Sequence, residues 1–328
     1  MSKFATTITL RAVGLFLLLS TFAALGASFE RKDVTFVSQG LKCAAWYYVP
    51  NGLKESEKRP AIVMAHGFSA TKEMYLDNFA SKFADAGFVV LVFDYRYFGA
   101  SEGEPRSQLF YYQQHEDYRN AITWTSMQKE VDPERNGIWG TSYSGGHVMV
   151  IGAFDKRVKA VVSQVPVTNV WEAYFEPQTP EGRAGAFAWH KQNRIDKAQG
   201  KVNYFPAVAP EGKPSVMGQE AYDWFMGNNV EKRAPTYRNQ VTVESLEIGM
   251  NYDPTATIHL ISPTPFLMII ASEDIITPTA LEKKAFERAK EPKKLIVVPG
   301  RHFDAYDGPK HDQFALPAVE WFKQHLMK

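Results

Sequence analysis

The sequence reads as an α/β protein, with a mostly parallel central sheet, helices on both faces and one long insertion. Three features lead to this reading. Short apolar runs alternate with loops and stretches of helical period, the order that right-handed crossovers turn into a parallel sheet. Two of these runs, FVVLVFD (88–94) and PFLMIIAS (265–272), are apolar almost throughout, as strands covered on both faces must be. In IWGTSYSGGH a third strand runs straight into a Ser/Gly-rich turn and a helix of small residues. The mixture of periods argues against a β-sandwich.

The elements follow in order. Residues 1–27 carry Lys3 and Arg11 ahead of an apolar, small-residue stretch ending near AVGLFLLLSTFAALGAS, which reads as an export signal cleaved near its end. A retained membrane anchor is the alternative, although the run is shorter than the roughly 20 apolar residues that span a bilayer. VTFVS and AAWYYV flank Gly40 as an opening pair of strands, and Cys43 is expected to pack there. After the charged linker LKESEKR, AIVMAH is a strand, and residues 71–86 place Met74, Phe79, Phe83 and Ala84 at helical spacing. FVVLVFD is the next strand, the GASEGEP loop follows, and residues 114–129 are helical. NGIWG is a short strand, a helix runs on toward Phe154, and VKAVVSQV is another central strand. Residues 28–166 thus form the first part of the core. Residues 167–262 lose the sheet rhythm in aromatic and charged text such as WEAYFEPQTPEGRAGAFAW, and read as an inserted lid or as an irregular excursion that completes the core. The rhythm returns in residues 263–328 with PFLMIIAS, a helix over 280–289, the strand LIVVPG and an amphipathic helix over 313–325.

Composition narrows the function. The 328 residues are 45% hydrophobic, 13% aromatic and 22% charged, enough apolar material for a buried core. With 37 basic against 36 acidic residues the formal charge is +1, so no electrostatic footprint for a nucleic acid is present. The leader holds two of those basic residues and none of the acidic ones, and without it the formal charge is −1. A single cysteine, Cys43, leaves no internal disulfide and no thiolate-rich metal or iron-sulfur site within one chain. No metal or organic cofactor is expected, and a membrane enters only if the N-terminal segment is retained.

The chemistry centres on Ser142. Where a strand passes through a tight turn into a helix, a serine is forced out of the ordinary backbone envelope and its hydroxyl points at substrate. Gly140 and Ser142 meet the GxSxG pattern, whereas Ser144 stands where the second glycine belongs. A serine hydroxyl needs a base, and the base needs a group that orients it. Asp274 follows the strand PFLMIIAS and His302 follows LIVVPG, so the chain order is Ser, Asp, His. Glu273 competes with Asp274 for the carboxylate role; Asp304 and Asp307 are reserve carboxylates, and His311 is a helix-entry residue. HGFSATKE follows a central strand, where the Phe68 N–H can pair with the Tyr143 N–H as an oxyanion hole. His66 is then a loop organiser rather than the base.

Residues 60–328 resemble the α/β-hydrolase superfamily, in its dienelactone-hydrolase and Xaa-Pro-peptidase-like branch. HGFSATKE, DYRYFGASEG, GTSYSGG, ASEDIITP and GRHFDAY carry the resemblance in that order. Within it Ser142, Asp274 and His302 match the triad, His66 and Gly67 match the oxyanion loop, and Asp94 to Gly103 match the ordered turn after the fourth strand. Arg301 replaces a glycine often found before the histidine, and Ser144 departs at the elbow. The resemblance implies two-step acyl transfer to water, with a neutral or apolar carboxylic ester as leading substrate. Peptide or amide hydrolysis and transfer to another acceptor use the same machinery, and a catalytically silent binding protein is the alternative of another class. Trp171, Tyr174, Phe187, Trp189 and Trp224, with Phe175, Tyr222 and Phe225, are candidates to line an apolar substrate pocket.

Overall fold

The structure, a computed structural model, describes residues 28–227 and 230–328, so the proposed leader lies outside the described residues. The chain opens with a hairpin of β1 (Phe29–Ser38) and β2 (Leu41–Pro50), joined at Gln39 and Gly40, both with positive φ (48° and 85°). A two-residue turn with two positive φ values matches the twist of the strands it joins. Cys43 is fully buried in β2. β3 (Arg59–Ala65), helix α1 (Leu76–Asp85), β4 (Val89–Phe93), helix α2 (Tyr111–Ser126), β5 (Val131–Thr141), helix α3 (Tyr143–Phe154) and β6 (Val158–Gln164) continue the frame.

Helix α1 begins five residues later than its apolar spacing predicts. The Lys72 N–H donates to Asp94 Oδ1 at 2.7 Å, its ammonium donates to Oδ2 at 2.7 Å, and Tyr75 turns into the left-handed region at φ 65°. A tertiary ion pair therefore claims residues that local propensity would have made helical.

After β6 the described residues up to position 265 contribute no strand to the main sheet. They form a π-turn (Trp171–Phe175), helix α4 (Pro180–Ala198), β7 (Tyr204–Phe205), α5 (Gln219–Gly227), α6 (Val230–Arg233), β8 (Val241–Thr242) and α7 (Val243–Gly249), with β7 and β8 paired only to each other. Helix α4 starts on a Thr179 cap that accepts from the Gly182 N–H, with Pro180 in its first turn. The frame resumes with β9 (Phe266–Ala271), α8 (Thr279–Arg288), β10 (Lys293–Val298) and α9 (His311–Leu326).

The eight-stranded sheet has the order β1-β2-β4-β3-β5-β6-β9-β10; β2 runs antiparallel to both its neighbours and the other pairs are parallel. Alternation along each strand divides the core into two layers. In β4, Val90 and Val92 join the layer under α1 and α9, while Val89, Leu91 and Phe93 join the layer under α2 and α3. Each such buried aliphatic or aromatic side chain contributes about 1.5–3 kcal/mol relative to exposure, which is why the central strands read as unbroken apolar text. Among the described residues no helix is long and apolar enough to cross a membrane.

Candidate active site

The carboxyl ends of the parallel strands β5, β9 and β10 bring three side chains together. β5 stops at Thr141, α3 starts at Tyr143, and Ser142 between them has φ 56° and ψ −117°. Such a backbone costs a non-glycine residue on the order of 1–3 kcal/mol and persists only where neighbours over-determine it. Here they do: the Ser142 N–H donates to the Gln164 carbonyl at 2.9 Å, and the Ser142 carbonyl accepts from the Val167 N–H at 2.9 Å. Glycines make the turn possible, since a Cβ on Gly140 would lie 2.1 Å from the Ser144 carbonyl oxygen and one on Gly145 would lie 2.8 Å from the Gln164 carbonyl oxygen.

Ser142 Oγ lies 3.1 Å from His302 Nε2, and His302 Nδ1 lies 2.7 Å from Asp274 Oδ2. All three residues are buried. The Asp274 carboxylate is held in turn, because Oδ1 accepts from the Ile276 and Thr277 N–H groups at 2.8 Å each and Oδ2 accepts from the Thr277 hydroxyl at 2.9 Å. Oδ2 can therefore accept Nδ1–H, which leaves Nε2 free to receive the serine proton. Glu273 is exposed and its N–H donates to the Gly300 carbonyl, while Asp304 is spent on the Arg301 N–H and the Lys310 ammonium. His311 opens α9, with its ring 3.0 Å from the Ala305 carbonyl.

The Phe68 and Tyr143 N–H groups, the two candidate oxyanion donors, flank this serine. A Cβ on Gly67 would lie 3.0 Å from Ser142 Cβ, so the loop after β3 rests directly against the elbow, and Tyr143 is the first residue of α3, whose N-terminal dipole favours negative charge. No hydrogen bond among the described residues uses either donor. His66 lines the crevice beside Ser142 but makes no hydrogen bond to it, its Nδ1 lying 2.9 Å from the Gly67 carbonyl and its Nε2 3.4 Å from the Tyr95 nitrogen. Burial lowers the proton affinity of its ring, so it is neutral.

Two spaces meet at Ser142. The larger, about 570 Å³, reaches into the segment between β6 and β9 and is lined by Phe68, Tyr143, Val167, Val170, Tyr174, Phe175, Trp189, His190 and Ile276 among others. The smaller, about 20 Å³, lies among Ser142, His302, Phe68, Met74, Trp224 and Phe303, with room for a water-sized molecule. Tyr174 and Trp189 thus line the large cavity and Trp224 the small crevice, its indole stacked 4.8 Å from Phe303. Trp171 and Phe187 line neither: Trp171 stacks on Phe175, and Phe187 faces a shallow crevice on the outer side of α4. Helical phase explains the split. Ala186, Trp189 and His190 share the inner face of α4, whereas Phe187, Lys191, Arg194 and Ile195 repeat at spacings of three and four on the outer one.

Thr277, Glu282 and Tyr95 were not singled out by the sequence. The Thr277 hydroxyl sits 3.1 Å from His302 Nδ1 and 3.3 Å from Glu282 Oε1. Burial first, then the Asp274 charge, pushes the Glu282 carboxyl well above its ordinary range. The Tyr95 hydroxyl meets Ser144 Oγ at 2.6 Å, and Ser144 donates to the His66 carbonyl. Among the described residues no cluster of His, Cys, Asp or Glu could hold a metal ion.

Comparison with known proteins adds a lineage to this geometry. The profile of the X-Pro dipeptidyl-peptidase (S15 family) matches residues 39–304. A quorum-quenching protein, AidA of Acinetobacter baumannii (strain MDR-ZJ06), is 32% identical over 300 residues, spanning 89% of this chain and 94% of that one. The thiohydrolase aneE of Aspergillus aculeatus is 33% identical over 255 residues, spanning 74% and 78% of the two chains. Among solved structures, the alpha/beta hydrolase GrgF from Penicillium sp. sh18 superposes with a TM-score of 0.77 at 27% identity, covering 91% of this chain and all 100% of its own.

Proposed function

The chain belongs to the X-Pro dipeptidyl-peptidase (S15) family of α/β-hydrolases, and on that premise we propose that Ser142 is the nucleophile with which this serine hydrolase cleaves a neutral or apolar carboxylic ester. The observation that carries the assignment is Ser142 Oγ, 3.1 Å from His302 Nε2, at the junction of an apolar cavity of about 570 Å³ and a crevice of about 20 Å³.

In the first step His302 Nε2 takes the Ser142 proton as Oγ attacks the ester carbonyl. Asp274 keeps Nδ1–H in place and stabilises the imidazolium, remaining ionised itself. The Phe68 and Tyr143 N–H groups take the oxyanion of the tetrahedral intermediate, where loss of one donor would cost on the order of 10²–10³ in turnover. His302 then hands its proton to the departing alcohol, leaving an acyl-Ser142. In the second step a water loses its proton to His302 as it attacks the acyl carbon, and the collapse returns the proton to Ser142 and releases the acid.

The cavity volume falls within the 300–1,000 Å³ typical of small-molecule sites. Its aromatic walls come largely from residues 167–262, which we read as a cap over the site; Trp189 and Tyr174 supply part of the wall. The water-sized crevice beside Ser142 and His302 favours water as the acyl acceptor over a larger nucleophile. The names of the relatives, a thiohydrolase and a polyketide-transferase-related α/β-hydrolase, fit acyl chemistry. The basic, apolar leader supports export to the periplasm or beyond. A panel of p-nitrophenyl esters beside aminoacyl-anilides, run with wild type and Ser142→Ala, tests the reading. Ester turnover that Ser142→Ala abolishes is the expected result; equal activity in both proteins would refute the nucleophile, and a preference for the anilides would make the enzyme a peptidase.

A further inference from the structure

Three side chains lining the cavity above Ser142 bury a polar atom without a hydrogen-bond partner, Tyr143, Glu220 and His190, and His190 is the one that stands on the cap helix α4. His190, on the inner face of α4, is 4% exposed and lines both that cavity and the outer crevice of about 440 Å³. Of the six buried histidines among the described residues, His66, His115, His147, His302 and His311 each engage at least one ring nitrogen within the chain. For His190 no hydrogen bond is formed: Nδ1 is sealed off without a partner, Nε2 is unpartnered but not sealed off, and the ring's contact is the Trp189 indole, 5.2 Å between centroids. No hydrogen bond or ring contact joins it to Ser142 or His302.

A buried polar group without a partner is destabilising, and native proteins keep few of them. Its neighbours Ala186 and Trp189 on this face of α4 are apolar, and the buried Asn193 one turn on accepts from the Asn203 side chain, so a leucine or phenylalanine would fill the His190 position without that cost. Burial lowers the ring's affinity for a second proton, so it is the neutral imidazole, with one donor and one acceptor. Val167, Val170, Phe175, Trp189 and Ile276 are apolar parts of the same wall, no lysine or arginine lines the cavity to pair with an anion, and the acidic side chain there, Glu220, offers an anionic oxygen group no compensation.

We propose that His190 is a recognition subsite for an uncharged oxygen function, a keto or hydroxyl group, borne by the substrate away from its scissile carbonyl. The substrate class is thus an oxygenated acyl ester rather than a plain fatty ester. This rests on the reading of Ser142 as an esterase nucleophile. A site that spends a hydrogen bond on a substrate oxygen discriminates against the analogue lacking it, because its own polar group is then left unpaired.

The test compares p-nitrophenyl octanoate with its 3-, 5- and 7-oxo derivatives on the full-length protein, using wild type, His190→Phe and His190→Asn. Wild type is expected to favour at least one oxo ester by about tenfold in kcat/KM. His190→Phe should abolish that preference, with kcat/KM falling more for the oxo ester than for the plain one, and His190→Asn, which keeps a donor and an acceptor, should restore part of it. Equal wild-type turnover of all four esters would overturn the subsite and leave the esterase reading standing, as would a His190→Phe loss equal on plain and oxo esters. No turnover of any ester would overturn the esterase reading and the subsite with it.

Discussion

Ser144, the residue that breaks the elbow pattern, gives the sharpest test of how the oxyanion loop is held. Its single hydroxyl proton goes to the His66 carbonyl, so the Tyr95 hydroxyl, 2.6 Å away, must be the donor in their contact. The result is a buried relay from Tyr95 through Ser144 to the strand end that precedes Gly67 and Phe68; Tyr95 is 1% exposed and Ser144 fully buried. Ser144→Ala removes the middle link and strands the Tyr95 O–H, a loss of about 1–3 kcal/mol. Tyr95→Phe removes only the outer link and leaves Ser144 on His66, at about 1 kcal/mol. In the double variant no hydroxyl is stranded, so its destabilisation should fall short of the sum of the two by about 1 kcal/mol or more. Urea denaturation of the four proteins measures the cycle. Turnover of a p-nitrophenyl ester should fall in kcat for Ser144→Ala, because the His66 carbonyl that anchors the Phe68 donor is released. Additive stabilities, together with an unchanged kcat, would refute the relay.

Two further expectations concern acid and base. His115 is pushed down to about 3 by burial and His147 well below its usual value by burial and the neighbouring rings, so both stay neutral in the folded protein while their unfolded counterparts take up protons below about 6.5. The unfolded state then binds more protons, and stability should fall as pH drops from about 6.5, by up to about 1.4 kcal/mol per pH unit for each histidine; His115→Phe should flatten that slope in pH-dependent denaturation, and an unchanged slope would contradict the buried-neutral assignment. Glu282 shows the opposite sign: its raised pKa keeps it protonated when folded, so its contribution is greatest below about 4.5 and is lost as pH rises. Glu282→Gln should therefore raise the urea midpoint more at pH 8 than at pH 5, and equal shifts at the two pH values would count against a neutral Glu282.

The fold was legible because its determinants are local. FVVLVFD and PFLMIIAS announce doubly covered strands by composition alone, and Gly140 marks a turn that a Cβ would block. What stayed illegible depends on partners distant in sequence. The start of α1 is moved by Asp94, 22 residues from Lys72. Thr277 acquires its place through His302, 25 residues away, and Tyr95 through Ser144, 49 residues away. In α4 the aromatic text signals burial of some kind, yet only the helical phase decides that Trp189 lines the cavity and Phe187 does not. His190 left no mark in the sequence, because an unused hydrogen bond is a property of surroundings rather than of a residue.

The backbone of Ser142 bears on natural selection. At φ 56° a glycine would sit without the strain a side chain suffers there, so loss of the hydroxyl would relax the backbone at this one position. A β-branched threonine at that φ would be an outlier, which closes the other hydroxyl-bearing route. A lineage under no pressure to turn over substrate would drift toward the relaxed glycine. With Ser142 as the proposed nucleophile, a serine kept there against its own stability is what selection for turnover would leave behind and what a silent binding protein would have no reason to keep.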